Sequence, residues 1–442
     1  MRAAGFPRVP NRASMSAPPW LRLTMPRDVD RLIAGERLHS FDGVRAASLL
    51  LGVILHAGES FIPDNRAWAI VDDSTSSVAG AMVYVIHIFR MPTFFLMAGF
   101  LGRMTLQRRG PADFIRDRAK RVLVPLVLGW CLLYPLIVCA WIWGAQRSAA
   151  GFRRKVPRGP AWQITFGAFA TGDVFSDGVQ LSHLWFLYDL LMCYAAVLTV
   201  RRWLVGRLDR AMGLRGRIDR AFAAVWRARG SFVLLALPVF GSLCLAREWV
   251  GVDTPDQTLR PNPPYILAYA AFFAVGWLLH RQPHLVDVLV GRQRSTLGWA
   301  ALLTVPLTLF VLRHAREPSG LWVHITYVAA YALAMWGWVL GLLGLGIRWF
   351  SRSRPALRYL SESSYWIYLM HLPLVLFLQV SLAHLPWPWT LKLAMVLVVV
   401  MSVLLLSYHS CVRFTAIGLL LNGRTQERAG RPAQAEAVAA RA

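Results

Sequence analysis

The chain has 442 residues, of which 56% are hydrophobic, and its mean hydropathy of +0.45 is well above that of a soluble domain. A net charge of +25 would suit a nucleic-acid-binding protein, but the basic residues lie between apolar runs and not among exposed aromatic residues, which argues against nucleic acid as a partner and favours a membrane surface. The five cysteines all fall inside apolar segments without paired spacing, which argues against a disulfide framework and predicts no metal site.

Ten apolar segments are long enough to cross about 30 Å of hydrocarbon. The sequence therefore predicts an all-α, polytopic membrane helix bundle over residues 41–415, and a count of nine to eleven helices fits the pattern. We expect the basic segment 1–40, which does not resemble a secretory signal peptide, and the tail 416–442 to be disordered. The predicted spans are 43–63, 79–102, 122–144, 183–200, 231–246, 265–280, 295–312, 322–346, 362–381 and 389–412.

Basic residues are distributed unevenly between the two sides of this predicted bundle. The segments on the side of the N-terminus contain 35 Lys and Arg residues, and the opposite loops contain 10. Cytoplasmic loops of membrane proteins carry the excess of positive charge. Both termini are therefore predicted to lie in the cytoplasm, with the lipid bilayer around the bundle.

The first predicted span carries Arg45 near its start and His56 further along. Eleven residues at about 100° each bring the two side chains to nearly the same helix face, about 16 Å apart along the axis. A cation near the cytoplasm and a deeper imidazole suit a long anionic donor such as an acyl-CoA, with His56 as general base on an acceptor hydroxyl. The alternative is that His56 hydrogen-bonds a neighbouring helix while Arg45 extends to the interface, where Asp42 lies one turn away.

Ionisable side chains inside a bilayer are costly and indicate pairing or function. Arg90 lies near the middle of the second span with His87 on the same face, and Asp189 in the fourth span is the carboxylate that we expect to meet it. A buried Arg90–Asp189 pair that only fixes helix packing is the alternative to substrate binding. His183 in the fourth span and His371 in the ninth are candidates for lining the same site, or packing residues.

Arg118 and Arg121 lie one helical turn apart at the cytoplasmic boundary that follows the second span. The pair suits a phosphate group, although most clusters of this kind set topology or contact anionic lipid. The patterns GxxxxGK[ST], HExxH, CxxC and GxSxG do not occur in the sequence. ATP-driven transport, zinc proteolysis and elbow-type serine hydrolysis therefore lack their usual sequence support.

Five segments of the chain resemble the acyltransferase type 3 family of membrane enzymes. They are RLHSFDGVRAASLLLGVILH, FRMPTFFLMAGF, RDRAKR, HLWFLYDLL and SSYWIYLMHLP, which occur in the family's order. By this resemblance, the family's pattern of Arg, ten residues and His falls on Arg45 and His56. Its RxxR element falls on Arg118 and Arg121, and its FRM arginine is Arg90.

The resemblance implies a bacterial inner-membrane O-acyltransferase that transfers an acyl group from cytoplasmic acyl-CoA to a glycan hydroxyl, without a bound cofactor. The LLGVILH and HIFRMPTFF forms look most like members associated with succinylation of periplasmic glucans, which makes succinyl-CoA a candidate donor. In this interpretation Arg45, Arg118 and Arg121 hold the donor's phosphates. Arg90 stabilises the oxyanion or a carboxylated acyl chain.

Two rival hypotheses belong to other classes of protein. One is a passive transporter or flippase for a saccharide or glycolipid, and the other is a structural partner in an envelope assembly. The sequence shows no internal repeat of the kind found in many secondary transporters, which disfavours the first rival. The sequence makes no prediction about the oligomeric state.

Overall fold

The computed structural model of the protein describes residues 39–148, 157–205, 213–246, 258–314, 320–350 and 354–422. Within these ranges the chain is all-α, as predicted, and its β pairing is limited to an isolated bridge between Gln180 and Thr258. Most of the two segments for which we expect disorder lies outside the described residues. The expected boundary at residue 416 is wrong, because the apolar run Ala416–Asn422 forms a helix that buries Leu421.

Thirteen α-helices lie within the described residues. They are α1 (His39–Gly58), α2 (Ser77–Arg118), α3 (Val124–Arg147), α4 (Ala161–Thr171), α5 (Trp185–Thr199), α6 (Leu214–Arg227), α7 (Ser231–Cys244), α8 (Pro263–Arg281), α9 (Val286–His314), α10 (Leu321–Trp349), α11 (Pro355–Leu382), α12 (Trp389–Ser407) and α13 (Ala416–Asn422).

The ten predicted spans are distributed over fewer continuous helical stretches. Eight helical stretches of the described chain qualify as membrane-crossing by length and composition, and nine if α6 and α7 are counted together as one span. The predicted second and third spans both lie in one stretch, Ser77–Arg147, which is 71 residues long. The predicted fifth span corresponds to α7, which has only 14 residues and meets α6 at an angle of 113°.

The long stretch Ser77–Arg147 folds back on itself. Gly110 has a φ of 77°, which is not helical, and Pro111 restarts the helix after it. Near the end of α3, a Cβ atom on Gly144 would overlap the carbonyl of Ala69, which lies just before the start of α2. The two arms of the stretch therefore return to the same end of the bundle and make two crossings.

Helices α2 and α8 cross in close contact. A Cβ atom on Gly99 would overlap the carbonyl oxygen of Phe273, and one on Gly276 would overlap that of Leu96. Reciprocal glycines of this kind allow membrane helices to approach closely. The crossing fixes α2, the helix that carries Arg90, within the bundle.

A buried ion pair secures the loop between α1 and α2. Lys392 of α12 is completely buried, and its ammonium group lies 2.6 Å from Asp72 and donates to the carbonyl of Ala383 at 3.0 Å. His384 lies 3.0 Å from Asp73 in the same loop and 2.9 Å from the carbonyl of Arg147. The loop is thus bound to α11, α12 and α3 where it covers the far end of α1.

Candidate active site

Helix α1 places Arg45 at one end of the bundle and His56 at the other. Arg45 donates to the backbone carbonyl and the hydroxyl of Ser361 on α11, at 2.9 and 2.7 Å, and lies 3.4 Å from Asp42. The predicted contact between Asp42 and Arg45 is therefore confirmed. We call the two ends of the bundle the Arg45 end and the His56 end.

Three histidines form a row at the His56 end. The ring of His56 lies 5.2 Å from that of His371, and the ring of His371 lies 5.4 Å from that of His183, measured between centroids. Trp68, from the loop after α1, stacks on the opposite side of His56 at 5.8 Å with an interplanar angle of 9°. Helix α11 supplies His371, and the short turn before α5 supplies His183. The structure therefore brings these three predicted site residues together.

Backbone carbonyls fix which nitrogens of two of these rings carry a proton. His371 Nδ1 lies 2.8 Å from the carbonyl oxygen of Tyr368, and His183 Nε2 lies 3.0 Å from that of Leu369. Because a carbonyl only accepts, each of these nitrogens is a donor. The other nitrogens, His371 Nε2 and His183 Nδ1, are buried without a hydrogen-bond partner among the described residues, as is His56 Nδ1. The row thus presents nitrogen atoms that are open to a ligand.

Gln379 of α11 holds the end of α1 and the ring that stacks on His56. Its amide nitrogen donates to the carbonyls of His56 and Ala57 at 2.9 and 3.1 Å. Its amide oxygen accepts from the indole nitrogen of Trp68 at 2.9 Å. One buried side chain therefore holds both the backbone of His56 and the ring that stacks on it, which limits the movement of the imidazole.

Arg90 lies against α1 one helical turn before His56. A Cβ atom on Gly52 would overlap its guanidinium group, so glycine at that position is what lets the arginine approach. Its charge acts on His56, His183 and His371. Within the described residues Arg90 forms no ion pair, and its Nε atom has no hydrogen-bond partner.

The expected pair between Arg90 and Asp189 is wrong. Asp189 is 3% exposed on α5, and its Oδ2 atom has no hydrogen-bond partner in the described part of the chain. Its charge acts on the thiol of Cys193, one turn further along the same helix, and it is not among the groups that act on Arg90. The structure therefore does not pair Asp189 with the arginine.

Arg118 and Arg121 share a carboxylate that the sequence analysis did not single out. Asp117, whose side chain is 7% exposed, contacts Arg118 and lies 3.1 Å from Arg121 and 2.9 Å from Arg109. The carboxylate of Asp117 orients three guanidinium groups while compensating one charge. The pair therefore remains a net positive site, held on a buried anchor.

Helix α11 connects this arginine group to Arg45. Tyr365 donates to the backbone carbonyl of Arg121 at 2.6 Å, one turn after Ser361, which binds Arg45. Arg45 and Arg121 therefore lie at the same end of the bundle, on elements that contact the same turn of α11. All three predicted phosphate ligands thus belong to the Arg45 end.

Residues 38–408 match the family described as "Acyltransferase domain". The chain belongs to this acyltransferase family. It is a multi-pass membrane acyltransferase of the kind that transfers groups other than aminoacyl groups, as predicted. No solved structure matches the chain.

Glucans biosynthesis proteins of two bacteria are similar to this acyltransferase over most of its length. Glucans biosynthesis protein C of Escherichia coli (strain SMS-3-5 / SECEC) is 24% identical over 400 residues, which cover 89% of this chain and 96% of the relative. The protein of the same name in Shigella dysenteriae serotype 1 is 23% identical over the same shares of both chains. The predicted resemblance is therefore confirmed.

Several residues of this acyltransferase site were missed by the sequence analysis. Trp68 and Gln379 support His56, Ser361 binds Arg45, and Asp117 anchors the arginine pair. Gln379, a polar residue in the apolar ninth span, gave a signal of the same kind as the histidines. Trp68 and Asp117 lie in polar segments, where nothing in the sequence sets them apart.

Proposed function

We propose that this protein is a bacterial inner-membrane O-acyltransferase that moves an acyl group from cytoplasmic acyl-CoA to a hydroxyl of an envelope glycan. The observation that carries the proposal is the row of three histidines, whose open nitrogens are acted on by the charge of Arg90. One of them, His56, lies on the same helix as Arg45, which is at the helix's other end. The names of the relatives support a glucan as the acceptor. Succinyl-CoA is the donor to test first.

In this proposal the donor enters from the Arg45 end, which faces the cytoplasm together with both termini. Arg45, Arg118 and Arg121 bind its phosphates, since guanidinium groups match phosphate oxygens in charge and geometry. Arg45 and His56 are eleven positions apart on α1, which corresponds to about 16 Å along the helix axis. The thin pantetheine arm extends along this helix and brings the thioester to His56.

The acceptor approaches from the His56 end. Trp68 and Trp141 meet there edge to face at 6.2 Å, and the amide of Asn65 donates to the carboxylate of Glu59 at 2.9 Å. Sugar rings offer an apolar face for an indole and hydroxyl groups for a carboxylate or an amide. These four residues are therefore the proposed contacts for the glycan.

The chemistry that follows is a direct acyl transfer. His56 removes the proton from the acceptor hydroxyl as its oxygen attacks the thioester carbonyl, and Arg90 stabilises the negative oxygen of the tetrahedral intermediate. The carbon–sulfur bond then breaks, and the proton on His56 passes to the leaving thiolate. The products are the glycan ester and free CoA, and His56 returns to its neutral form.

The test is His56→Ala and His56→Gln in protein purified into nanodiscs, with radiolabelled succinyl-CoA and glucan as substrates. We expect transfer to fall by at least about 100-fold, the lower end of the range for loss of a general base, with donor binding unchanged. His409→Ala, an exposed histidine on the turn after α12, is the control and retains activity. Transfer at the normal rate by His56→Ala would overturn the catalytic role.

A cellular experiment identifies the acceptor. A deletion strain that expresses the wild-type protein or stable His56→Ala is compared by mass spectrometry of its envelope glycans. We expect acyl esters on the glycans of the first strain and their loss from the second. An unchanged acylation pattern in the deletion strain would contradict the proposal and favour transport.

A further inference from the structure

Four arginines from four different elements gather at the Arg45 end, apart from the predicted phosphate ligands. Arg103 comes from α2 and Arg281 from the last position of α8, while Arg201 lies in the π-helical turn after α5 and Arg215 in α6. The charges of the other three act on Arg103, and among the described residues Asp219 is the carboxylate that acts on it. Asp219 is already bound to Arg281 at 2.6 Å. We call Arg103, Arg201, Arg215 and Arg281 the arginine cluster.

Arg103 has a buried hydrogen-bond donor without an acceptor in the described part of the chain. Its side chain is half-buried, and its Nε atom is buried without a partner among the residues that the structure describes. Its guanidinium carbon lies 5.7 Å from the ring centre of Trp277, which covers one of its faces. A partly desolvated guanidinium group among like charges is unfavourable unless an anion accepts its hydrogen bonds.

The arginine cluster is continuous with the proposed donor site. Tyr194 of α5 lies between them, with its hydroxyl 3.3 Å from Arg118 and its ring against Gly102, where a Cβ atom would come within 2.7 Å. Gly102 directly precedes Arg103. The two basic groups therefore flank one tyrosine at the same end of the bundle.

We propose that the arginine cluster is a second anion subsite that binds a phosphate monoester, the 3′-phosphate of the CoA donor. The inference rests on the proposed acyl-CoA donor, and it assigns the pyrophosphate to Arg45, Arg118 and Arg121. A phosphate monoester carries a charge of about −1.5 to −2 near neutral pH, which suits Arg103 and the positive charges that act on it better than a singly charged group does. The indole of Trp277 and the plane of Arg103 offer flat surfaces for the attached adenine.

The subsite gives a reason for selecting CoA over shorter thioesters. Because the 3′-phosphate lies far from the thioester, its contacts are the same in the ground state and in the transition state. Uniform binding of this kind lowers KM and leaves kcat unchanged. The arginine cluster is therefore expected to set donor affinity and not the rate of transfer.

The experiment compares CoA with dephospho-CoA, which lacks only the 3′-phosphate, in equilibrium binding to the full-length protein in nanodiscs. We expect the wild-type protein to bind CoA about 10- to 100-fold more tightly, the range for one or two charge-assisted hydrogen bonds. Arg103→Gln is expected to weaken CoA binding about tenfold and to leave dephospho-CoA binding unchanged. Arg202→Gln, an exposed neighbour of Arg201, is the matched control and is expected to bind both ligands as the wild-type protein does.

Each outcome decides one question. Arg201→Gln provides a second variant if Arg103→Gln does not fold, with the same expected selectivity. Equal wild-type affinity for the two ligands, or equal weakening of both by Arg103→Gln, overturns the subsite and leaves the acyl-CoA donor standing. Absence of CoA binding to the wild-type protein overturns the donor itself. Loss of the preference for CoA when the nanodiscs contain anionic lipid would show that lipid headgroups occupy the arginine cluster in a membrane, and would overturn its role in donor binding.

Discussion

Replacement of Gln379 by methionine separates the positioning of His56 from its chemistry. The substitution keeps the length of the side chain in α11 and removes three hydrogen bonds, two to the carbonyls of His56 and Ala57 and one from the indole of Trp68. The indole N–H is left half-buried without its acceptor. Trp68 is then free to leave the ring of His56, and the last turn of α1 loses its contact with α11.

The magnitude follows from the three contacts. At about 1 kcal/mol for each hydrogen bond, with an additional cost for a polar group left unpaired, Gln379→Met is expected to destabilise the protein by about 2 to 4 kcal/mol. A displacement of about 1 Å at a catalytic group costs about 100-fold in rate. We therefore expect kcat to fall about 10- to 100-fold, with little change in the KM of the donor, because the proposed site for the donor's phosphates is the Arg45 end.

The assay measures succinyl transfer in nanodiscs as a function of donor and acceptor concentration, with thermal unfolding recorded on the same samples. Gln293→Met is the matched control, because Gln293 on α9 is 3% exposed against 2% for Gln379 and has no contact with His56. The control is expected to retain kcat. A wild-type kcat in folded Gln379→Met, or a loss expressed entirely in the KM of the donor, would refute the positioning role.

Three further predictions test other parts of the structure. Gly52→Ala pushes the guanidinium group of Arg90 off α1 and is expected to lower kcat at least about tenfold. The control Gly80→Ala, whose new Cβ meets nothing closer than 3.6 Å, retains activity, and equal rates of the two variants in the transfer assay would contradict this prediction. Lys392→Met breaks the buried ion pair and is expected to destabilise the protein by about 3 to 5 kcal/mol, while the double variant with Asp72→Leu recovers most of the loss in thermal unfolding; no recovery would show that the ion pair is not the cause. Asp189→Asn is expected to raise the unfolding temperature and leave transfer unchanged, and a loss of transfer would restore this residue to the site.

The fold class was predictable from the sequence because a bilayer permits few solutions. Long apolar segments must form helices that satisfy their own backbone groups, and all ten predicted segments lie in helical parts of the structure. The way in which the crossings are joined was harder to predict. A rule based on segment length does not show that Ser77–Arg147 is one helical stretch bent at Gly110, or that α7 is short and follows a strongly bent junction.

Within the site, the sequence predicted which ionisable residues lie in the membrane, but it did not predict how they pair. Helical periodicity alone put Arg45 and His56 on one face of α1, and the contact with Asp42 followed from local spacing. Distant contacts depend on how helices rotate about their axes. Asp189 had the right charge and approximate depth for Arg90, but the two side chains form no ion pair in the described part of the chain.

Unmet hydrogen bonds grouped on three neighbouring rings distinguish the histidine row from isolated unmet atoms such as Asp189 Oδ2 and Gln293 Oε1. A polar network that only stabilised the bundle would satisfy its own groups, as Lys392, Asp72 and Ala383 do. At the histidine row the backbone takes up one nitrogen on each of two rings and leaves the opposite nitrogens open. The protein thereby sets the tautomer and orientation of the rings, and in the proposed mechanism the reacting groups of the substrates supply the missing partners. The same reasoning applies at the Arg45 end, where Asp117 orients three arginines without neutralising them. We therefore propose that a ligand completes both ends of α1, with phosphate at one end and a hydroxyl and a thioester at the other.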